Sequence, residues 1–335
     1  MTIRIGLLGA GRIGKVHAKA IAATADARLV AVADAVDAAA QSLAAEHAAA
    51  VRSIDGIVGA DDIDAVFITS PTDTHADLIV ASAQAGKAIF CEKPIDLSRQ
   101  RVRDSLAVVE RTGATLMVGF NRRFDPNFRA VRRQIDGGMI GDVEMVTIIS
   151  RDPGPPPLEY LARSGGLLRD MTIHDFDMAR FLLGEEPSEV SALGSVLVDP
   201  AIAGVPDIDS VAVTLRTPSG KLCQISNSRR AVYGYDQRIE VHGSAGMARA
   251  ENMYESTAEV ATADGYHRPP LMTFFLERYM PAYLAEVAAF VHAVTTGTPP
   301  SPTGIDGLRA LVLADAAVES LRTGRSVAVD GLDPS

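Results

Sequence analysis

The sequence predicts an α/β protein: a doubly wound parallel sheet at the N-terminus, then a second domain of helices and largely antiparallel strands. Three observations predict it. The first 120 residues alternate short apolar runs with Ala-rich stretches of helical spacing. A glycine-rich turn joins the first run to the first helical stretch. After Phe120 the apolar runs give way to segments in which polar and apolar residues alternate.

The apolar runs are Ile3–Leu8, Leu29–Ala33, Ala65–Thr69, Ala88–Cys91 and Thr115–Phe120. They are rich in Val, Ile or Leu and lack polar alternation, as strands buried on both faces do. Between them, Lys15–Ala25 and Ala76–Gly86 carry apolar residues at helical spacing. Strand and helix in alternation imply a parallel sheet covered on both faces. Further on, Pro126–Ile135 reads as a helix that ends at Gly137-Gly138. Glu144–Ser150, Val190–Val198, Ser210–Leu215, Lys221–Ser226 and Arg238–His242 read as antiparallel strands with one exposed face. Turn residues such as Pro218-Ser219-Gly220 and Gly243-Ser244-Ala245-Gly246 separate them. Two helical patterns, Glu277–Thr296 and Gly304–Arg322, follow, and Pro153–Pro157 is a stiff loop. The expected division is 1–120 and 121–335.

Bulk properties narrow the function classes. The chain has 335 residues, 47% hydrophobic and 22% charged, which is ordinary for a globular protein of two domains. Lys and Arg number 32 against 42 Asp and Glu, for a net charge of −10. Such a surface repels phosphate backbones, so no nucleic-acid partner is expected. A small ligand phosphate can still bind at a helix N-terminus. Cys91 and Cys223 form no C-x-x-C pair and are expected as buried, reduced thiols of a cytoplasmic protein. The opening apolar run is short and broken by Gly6 and Gly9, so it does not read as a secretory leader. No uncharged apolar run of about 18 residues suggests a membrane partner.

Gly9-Ala10-Gly11-Arg12-Ile13-Gly14 follows a predicted strand and opens a predicted helix, the context a dinucleotide-binding turn requires. Gly9 permits the tight turn, Gly11 the approach of a pyrophosphate, and Gly14 the packing of helix on strand. The next strand ends at Asp34, twenty residues after Gly14. A carboxylate there accepts both ribose hydroxyls of NAD and repels the 2′-phosphate of NADP. Ala35, Val36 and Asp37 supply no cation for that phosphate. The cofactor expected is NAD; the alternative is that Asp34 caps a helix.

Two further segments carry chemistry. Phe90-Cys91-Glu92-Lys93-Pro94 ends a predicted buried strand, where parallel sheets face their ligand crevice. Pro94 fixes its own φ and restricts Lys93, which places an ammonium at the crevice edge. In Gly165–Met178, Asp170 and His174 stand four apart and share one face if the segment is helical, with Asp177 extending it. A His beside a carboxylate suits general-base work, and oxidation of an alcohol needs such a base for the hydroxyl proton. Spacing alone also admits a helix-stabilising pair, a solvated Lys93, or metal ligation by Asp170, His174 and Asp177, although no standard metal motif is present and no metal is expected.

Taken together, the glycine turn, Glu92-Lys93-Pro94 and the Asp170…His174 segment resemble the glucose–fructose oxidoreductase and inositol dehydrogenase (Gfo/Idh/MocA) family over nearly the whole chain. Within it, Gly119–Asp125, Ile149–Pro153, Arg169–Asp175 and Tyr233–Arg238 resemble the bacterial inositol 2-dehydrogenases. The resemblance implies a Rossmann domain followed by an α/β domain with an open, mostly antiparallel sheet, whose free face forms a homotetramer interface. It implies oxidation of a cyclic polyol, myo-inositol foremost, with another inositol isomer or a pyranose sugar as the alternative. It implies Lys93, Asp170 and His174 as the catalytic trio, and Arg122, Asp152 and Tyr235 as lining of the polyol pocket; some members carry Asn in place of Asp152. Cofactor contacts fall to Gly9, Gly11, Arg12, Ile13, Gly14, Asp34, Ser70, Pro71, Thr72, His75, Glu92 and Lys93. Members that serve as non-catalytic NAD sensors lack the trio, whereas this chain has it.

Overall fold

The computed structural model describes residues 2–329. The described residues form two compact units, 2–124 with 280–311, and 125–279 with 312–329. Segment 280–311, expected with the second domain, therefore packs on the first.

In the first unit six parallel strands form one sheet. They are β1 (Ile3–Leu8), β2 (Ala27–Ala33), β3 (Ala50–Val51), β4 (Ala65–Ile68), β5 (Ala88–Glu92) and β6 (Leu116–Gly119). Their order is β3-β2-β1-β4-β5-β6, so the winding reverses between β1 and β4 and opens a crevice at the strand C-termini. β3 has only two residues, both exposed, and carries no apolar signal. The central strands are apolar because both faces are covered, and every residue of β4 and β6 is buried. Phe67 of β4 stacks on Phe90 of β5 at 4.6 Å, and Phe290 meets them edge-on at 5.2 and 6.0 Å.

The second unit holds a seven-stranded sheet. Its strands are β7 (Val143–Arg151), β8 (Glu189–Ser195), β9 (Ser210–Arg216), β10 (Leu222–Ser228), β11 (Asp236–Gly243), β12 (Gly246–Ala250) and, after a separate hairpin of β13 (Val260–Thr262) and β14 (Gly265–His267), β15 (Val327–Ala328). The order is β12-β11-β7-β10-β9-β8-β15. All pairs are antiparallel except β7 with β10, which run parallel in the register Ser150↔Asn227. Period-two patterning marks one face as wet but leaves strand direction open. The long connection from β7 to β10 permits the parallel pairing, which no short hairpin could make. Residues of β9 alternate buried and exposed, as the pattern predicted. The strand expected over Val190–Val198 stops at Ser195, because the backbone N–H groups of Leu197, Val198 and Asp199 bond the Asp209 carboxylate instead of a neighbouring strand.

Each unit buries ionisable side chains. In the second, Arg278 and Asp125 are both buried and hydrogen-bonded to each other. Asp125 also accepts from Asn127 N and Phe128 N at 3.0 Å, capping the helix Pro126–Asp136. In the first, Glu286 sits on the helix Met280–Thr296 with no exposure and no hydrogen-bond partner among the described residues for either carboxyl oxygen. Cys91 and Cys223 are buried and unpaired. Among the described residues no helix is long and apolar enough to cross a membrane.

Burial, and then the charge of Glu92, push the Glu286 carboxyl well above its ordinary 4.5. The unfolded chain ionises this group from about pH 4.5 upward while the folded chain holds its proton, so the stability it contributes declines as pH rises above that value. Glu286→Gln removes this dependence. Its stability relative to wild type, read by urea unfolding, is expected to improve steadily between pH 5 and pH 8. A difference that stays flat across that range excludes a buried neutral carboxyl.

Candidate active site

The glycine turn is built by contacts that tolerate no side chain. Gly9 adopts φ +110, and a Cβ there would lie 2.6 Å from Ser70 N. A Cβ on Gly14 would lie 1.9 Å from Gly9 O. Gly11, by contrast, faces open space with nothing within 4 Å. It also stands at the N-cap of the helix Arg12–Ala23, whose first turn receives no side-chain cap. Thr69 Oγ1 donates to Gly9 O at 2.7 Å and fixes the turn against the end of β4. The first-turn N–H groups and the open Cα of Gly11 suit a diphosphate. Arg12 is exposed and Ile13 half-buried at that helix start.

Asp34 follows β2 and is half-buried. Its Oδ2 accepts from Ala10 N at 2.6 Å and its Oδ1 from Val36 N at 2.8 Å. The carboxylate thus braces the glycine turn and also starts the helix Asp37–Glu46 by an Asx-type bond. Each carboxylate oxygen offers a second lone pair, so these bonds leave acceptor capacity for ribose hydroxyls. The residues present therefore fit NAD.

Two loops meet beside β4 and β5. Ser70-Pro71-Thr72 follows β4, and its Ser70 O lies 2.8 Å from His75 Nε2. Glu92 ends β5, is buried, and its Oε1 lies 2.6 Å from Nε2 of His17, which is wholly buried. Its Oε2 accepts from Lys93 N at 3.2 Å. Glu92 therefore directs its carboxylate into the unit. Lys93 is half-buried and its peptide bond to Pro94 is cis. Arg122 lies just after β6 in the short turn Asn121–Phe124 and is buried. Gly9, Gly11, Gly14, Asp34, Ser70, His75, Glu92, Lys93 and Arg122 thus all lie at or next to the C-terminal edge of the parallel sheet.

In the second unit Asp170 and His174 do not share one continuous helix. The helix Gly166–Asp170 ends at Met171, and a second helix spans Ile173–Leu183. Thr172 causes the break: its N–H reaches back to Leu167 O at 2.9 Å, and its Oγ1 donates to Asn227 Oδ1 at 2.7 Å. The tie to β10 wins over a straight helix. Asp175 is wholly buried and accepts from Ser150 Oγ at 2.6 Å and Asn227 Nδ2 at 2.8 Å. These bonds fasten the helix that carries His174 to β7 and β10.

Asp170 Oδ1 accepts from Tyr160 Oη at 2.9 Å, and its Oδ2 lies 3.6 Å from the buried guanidinium of Arg229. Arg229 also faces Asp207 at 3.7 Å. Burial raises the Asp207 carboxyl despite the N–H groups of Leu167 and Ile208 that it accepts. Asp152 follows β7, with its N–H on Ser228 O at 3.0 Å. Tyr235 is buried and meets Phe274 and Tyr279 edge-on at 5.9 Å. Because Arg151 pairs with both Ser228 and Asp236, the residues Asp152, Arg229 and Tyr235 leave the sheet at one end. Asp170 and His174 join that end through Arg229 and Asp175.

Comparison with known proteins decides the family. Residues 3–120 match the family model described as an oxidoreductase NAD-binding Rossmann fold, and residues 132–329 match its C-terminal alpha/beta domain. The chain belongs to the Gfo/Idh/MocA oxidoreductase family. It is similar to inositol 2-dehydrogenase of Rhizobium meliloti (strain 1021), at 63% identity over 98% of this chain and 100% of that one. Among solved structures it is similar to a myo-inositol dehydrogenase from Corynebacterium glutamicum, at 46% identity and a TM-score of 0.95 over 99% of this chain and 100% of the other. It is also similar to scyllo-inositol dehydrogenase from Lactobacillus casei with bound NAD(H) and scyllo-inositol, at 32% identity and a TM-score of 0.92, covering 99% and 100%. This Gfo/Idh/MocA oxidoreductase uses NAD.

Asp207 and four other residues of this oxidoreductase escaped the sequence reading. Asn227 and Arg229 follow the predicted strand Lys221–Ser226 and carry no motif of their own. Tyr160 lies in a short helix, Leu158–Leu161, that the stiff proline loop concealed. His17 did carry a signal: it sits three residues after Gly14, among the apolar residues Val16, Ala20 and Ile21 of the helix's buried face.

Proposed function

We propose that the chain oxidises myo-inositol at one hydroxyl and yields 2-keto-myo-inositol (scyllo-inosose). The observation that carries this reading is the 63% identity with an inositol 2-dehydrogenase over 98% of the chain. Asp34 and the glycine turn hold the adenosine ribose and the diphosphate. Bound NAD supplies the hydride acceptor, C4 of its nicotinamide ring.

The chain's own residues manage the hydroxyl. Lys93 donates to the oxygen that will become the ketone and favours its alkoxide. His174 accepts the hydroxyl proton as general base, and Asp170 orients the polyol and stabilises the imidazolium so formed. The carbinol hydrogen leaves as hydride, the hydroxyl hydrogen leaves as a proton, and the C–O bond becomes a carbonyl. An uncharged ring polyol needs many matched donors and acceptors, because each buried polar group left unpaired weakens binding. Arg122, Asp152 and Tyr235 supply them.

A second reading, oxidation of a different inositol isomer, is supported by the similarity to the scyllo-inositol dehydrogenase. The exposed Leu193 and Met145 on the wet face of the second sheet support the homotetramer reading. The buried, unpaired thiols suit a reducing cytoplasm.

The deciding experiment offers myo-, scyllo- and D-chiro-inositol and D-glucose to the purified protein with NAD and follows NADH absorbance. myo-Inositol is expected to give the highest kcat/KM, and turnover of glucose alone removes inositol from the proposal. His174→Ala is expected to lower kcat by about 10²–10⁴ through loss of the base; an unchanged rate rules out that role. For the cofactor, Asp34→Ala combined with Ala35→Arg is expected to move preference from NAD toward NADP, read as the ratio of the two kcat/KM values. A wild-type chain that already favours NADP contradicts the role given to Asp34.

A further inference from the structure

His75 opens the helix His75–Gln84, and its side chain is buried. Its two ring nitrogens meet two different loops. Nδ1 lies 2.8 Å from Pro94 O, and Nε2 lies 2.8 Å from Ser70 O. Both partners are backbone carbonyl oxygens, which only accept. A neutral imidazole has one N–H and one lone pair, so either tautomer turns a lone pair toward an oxygen. Turning the ring over about Cβ–Cγ brings carbon atoms to both positions and loses both bonds. Two hydrogen bonds form only on a ring that carries two N–H groups.

We propose that His75 is a positioning residue: an imidazolium strut that ties the turn Lys93-Pro94 to the loop Ser70–Thr72. The proposal rests on the reading of Lys93 as the amine at the reacting hydroxyl. Ser70 N is packed against the glycine turn, where it would lie 2.6 Å from a Cβ on Gly9. Pro94 is bonded directly to Lys93. One rigid ring therefore relates the cofactor turn to the amine, and a shift of either loop passes to the other. A cation at a helix N-terminus opposes the helix dipole. Two charge-assisted bonds, to Pro94 O and Ser70 O, offset that cost. His75 thus serves the cofactor loop by holding its backbone, with both ring nitrogens already engaged.

The test combines a spectroscopic and a kinetic readout on the full chain. In protein labelled with ¹⁵N-histidine, the His75 ring is assigned by its loss in His75→Gln. Both of its nitrogens are expected to carry slowly exchanging protons in the folded chain, one on each carbonyl. One unprotonated ring nitrogen overturns the strut. In His75→Phe, which keeps a ring and loses both bonds, kcat for the polyol is expected to fall roughly 10–100-fold. Binding of ADP-ribose, which lacks the nicotinamide, is expected to match wild type. His75→Gln, able to reach only one carbonyl, is expected to fall between the two and serves alone if the Phe variant does not fold. Wild-type kcat in the folded variants overturns the proposal. A wild-type chain that turns over no polyol defeats the functional reading instead, and the nitrogen spectrum still decides the strut.

Discussion

The first unit depends on one steric constraint, the contact of backbone on backbone at Gly14. With a Cβ placed 1.9 Å from Gly9 O and 3.1 Å from Thr69 Oγ1, no other residue fits without moving the turn. That contact lets the helix Arg12–Ala23 start directly after the end of β1, so its unsatisfied N–H groups face the crevice. Thr69 and Asp34 then hold the turn from two sides, one by donating to Gly9 O and the other by accepting from Ala10 N. Asp34 is therefore part of the turn's support as well as a candidate for ribose recognition. Removing that carboxylate would also remove the bond that braces Ala10 N, so its support of the turn is inseparable from the ribose role proposed for it.

The second unit solves a similar problem with polar groups. A helix and a sheet packed through apolar contacts alone can slide, whereas hydrogen bonds fix a register. Asp175 has no exposure, and a carboxylate so placed is tolerated only when its acceptors are filled. Ser150 and Asn227 fill them from two strands that are themselves paired in register. Leaving one such buried group without its partner costs about 1–3 kcal/mol. That energy resists any displacement of the neighbouring His174 along the sheet.

Sequence made the first unit legible to a large extent, because its signals are local. Strands buried on both faces are uniformly apolar, and the G-x-G-x-x-G turn has a steric cause that reads directly from residue type. The second unit was legible in strand content and not in strand order: polarity period reports which face is wet and nothing about direction. The break between Asp170 and His174 was hidden for a related reason. Thr172 is compatible with a helix, and only its long-range bond to Asn227 turns it into a kink. Arg229 and Glu286 were hidden because their meaning comes from burial. Charged residues are rarely fully enclosed, and composition cannot say which ones are.

Arg229 shows what such enclosure implies. Two of its nitrogens have no hydrogen-bond partner among the described residues, and both nearby carboxylates stand beyond hydrogen-bond length, at 3.6 and 3.7 Å. A desolvated guanidinium in that setting costs the fold several kcal/mol that Coulomb attraction only partly returns. Of its two acidic neighbours, Asp207 is the more enclosed, at 4% side-chain exposure against 15% for Asp170. Burial raises Asp207 accordingly. As pH falls, Asp207 takes a proton before an ordinary carboxyl would, and its attraction for the guanidinium is then lost. Arg229 thereby places a buried cation beside Asp170, the residue proposed to orient the polyol, and that enclosure is what ties Asp170 to the end of β10.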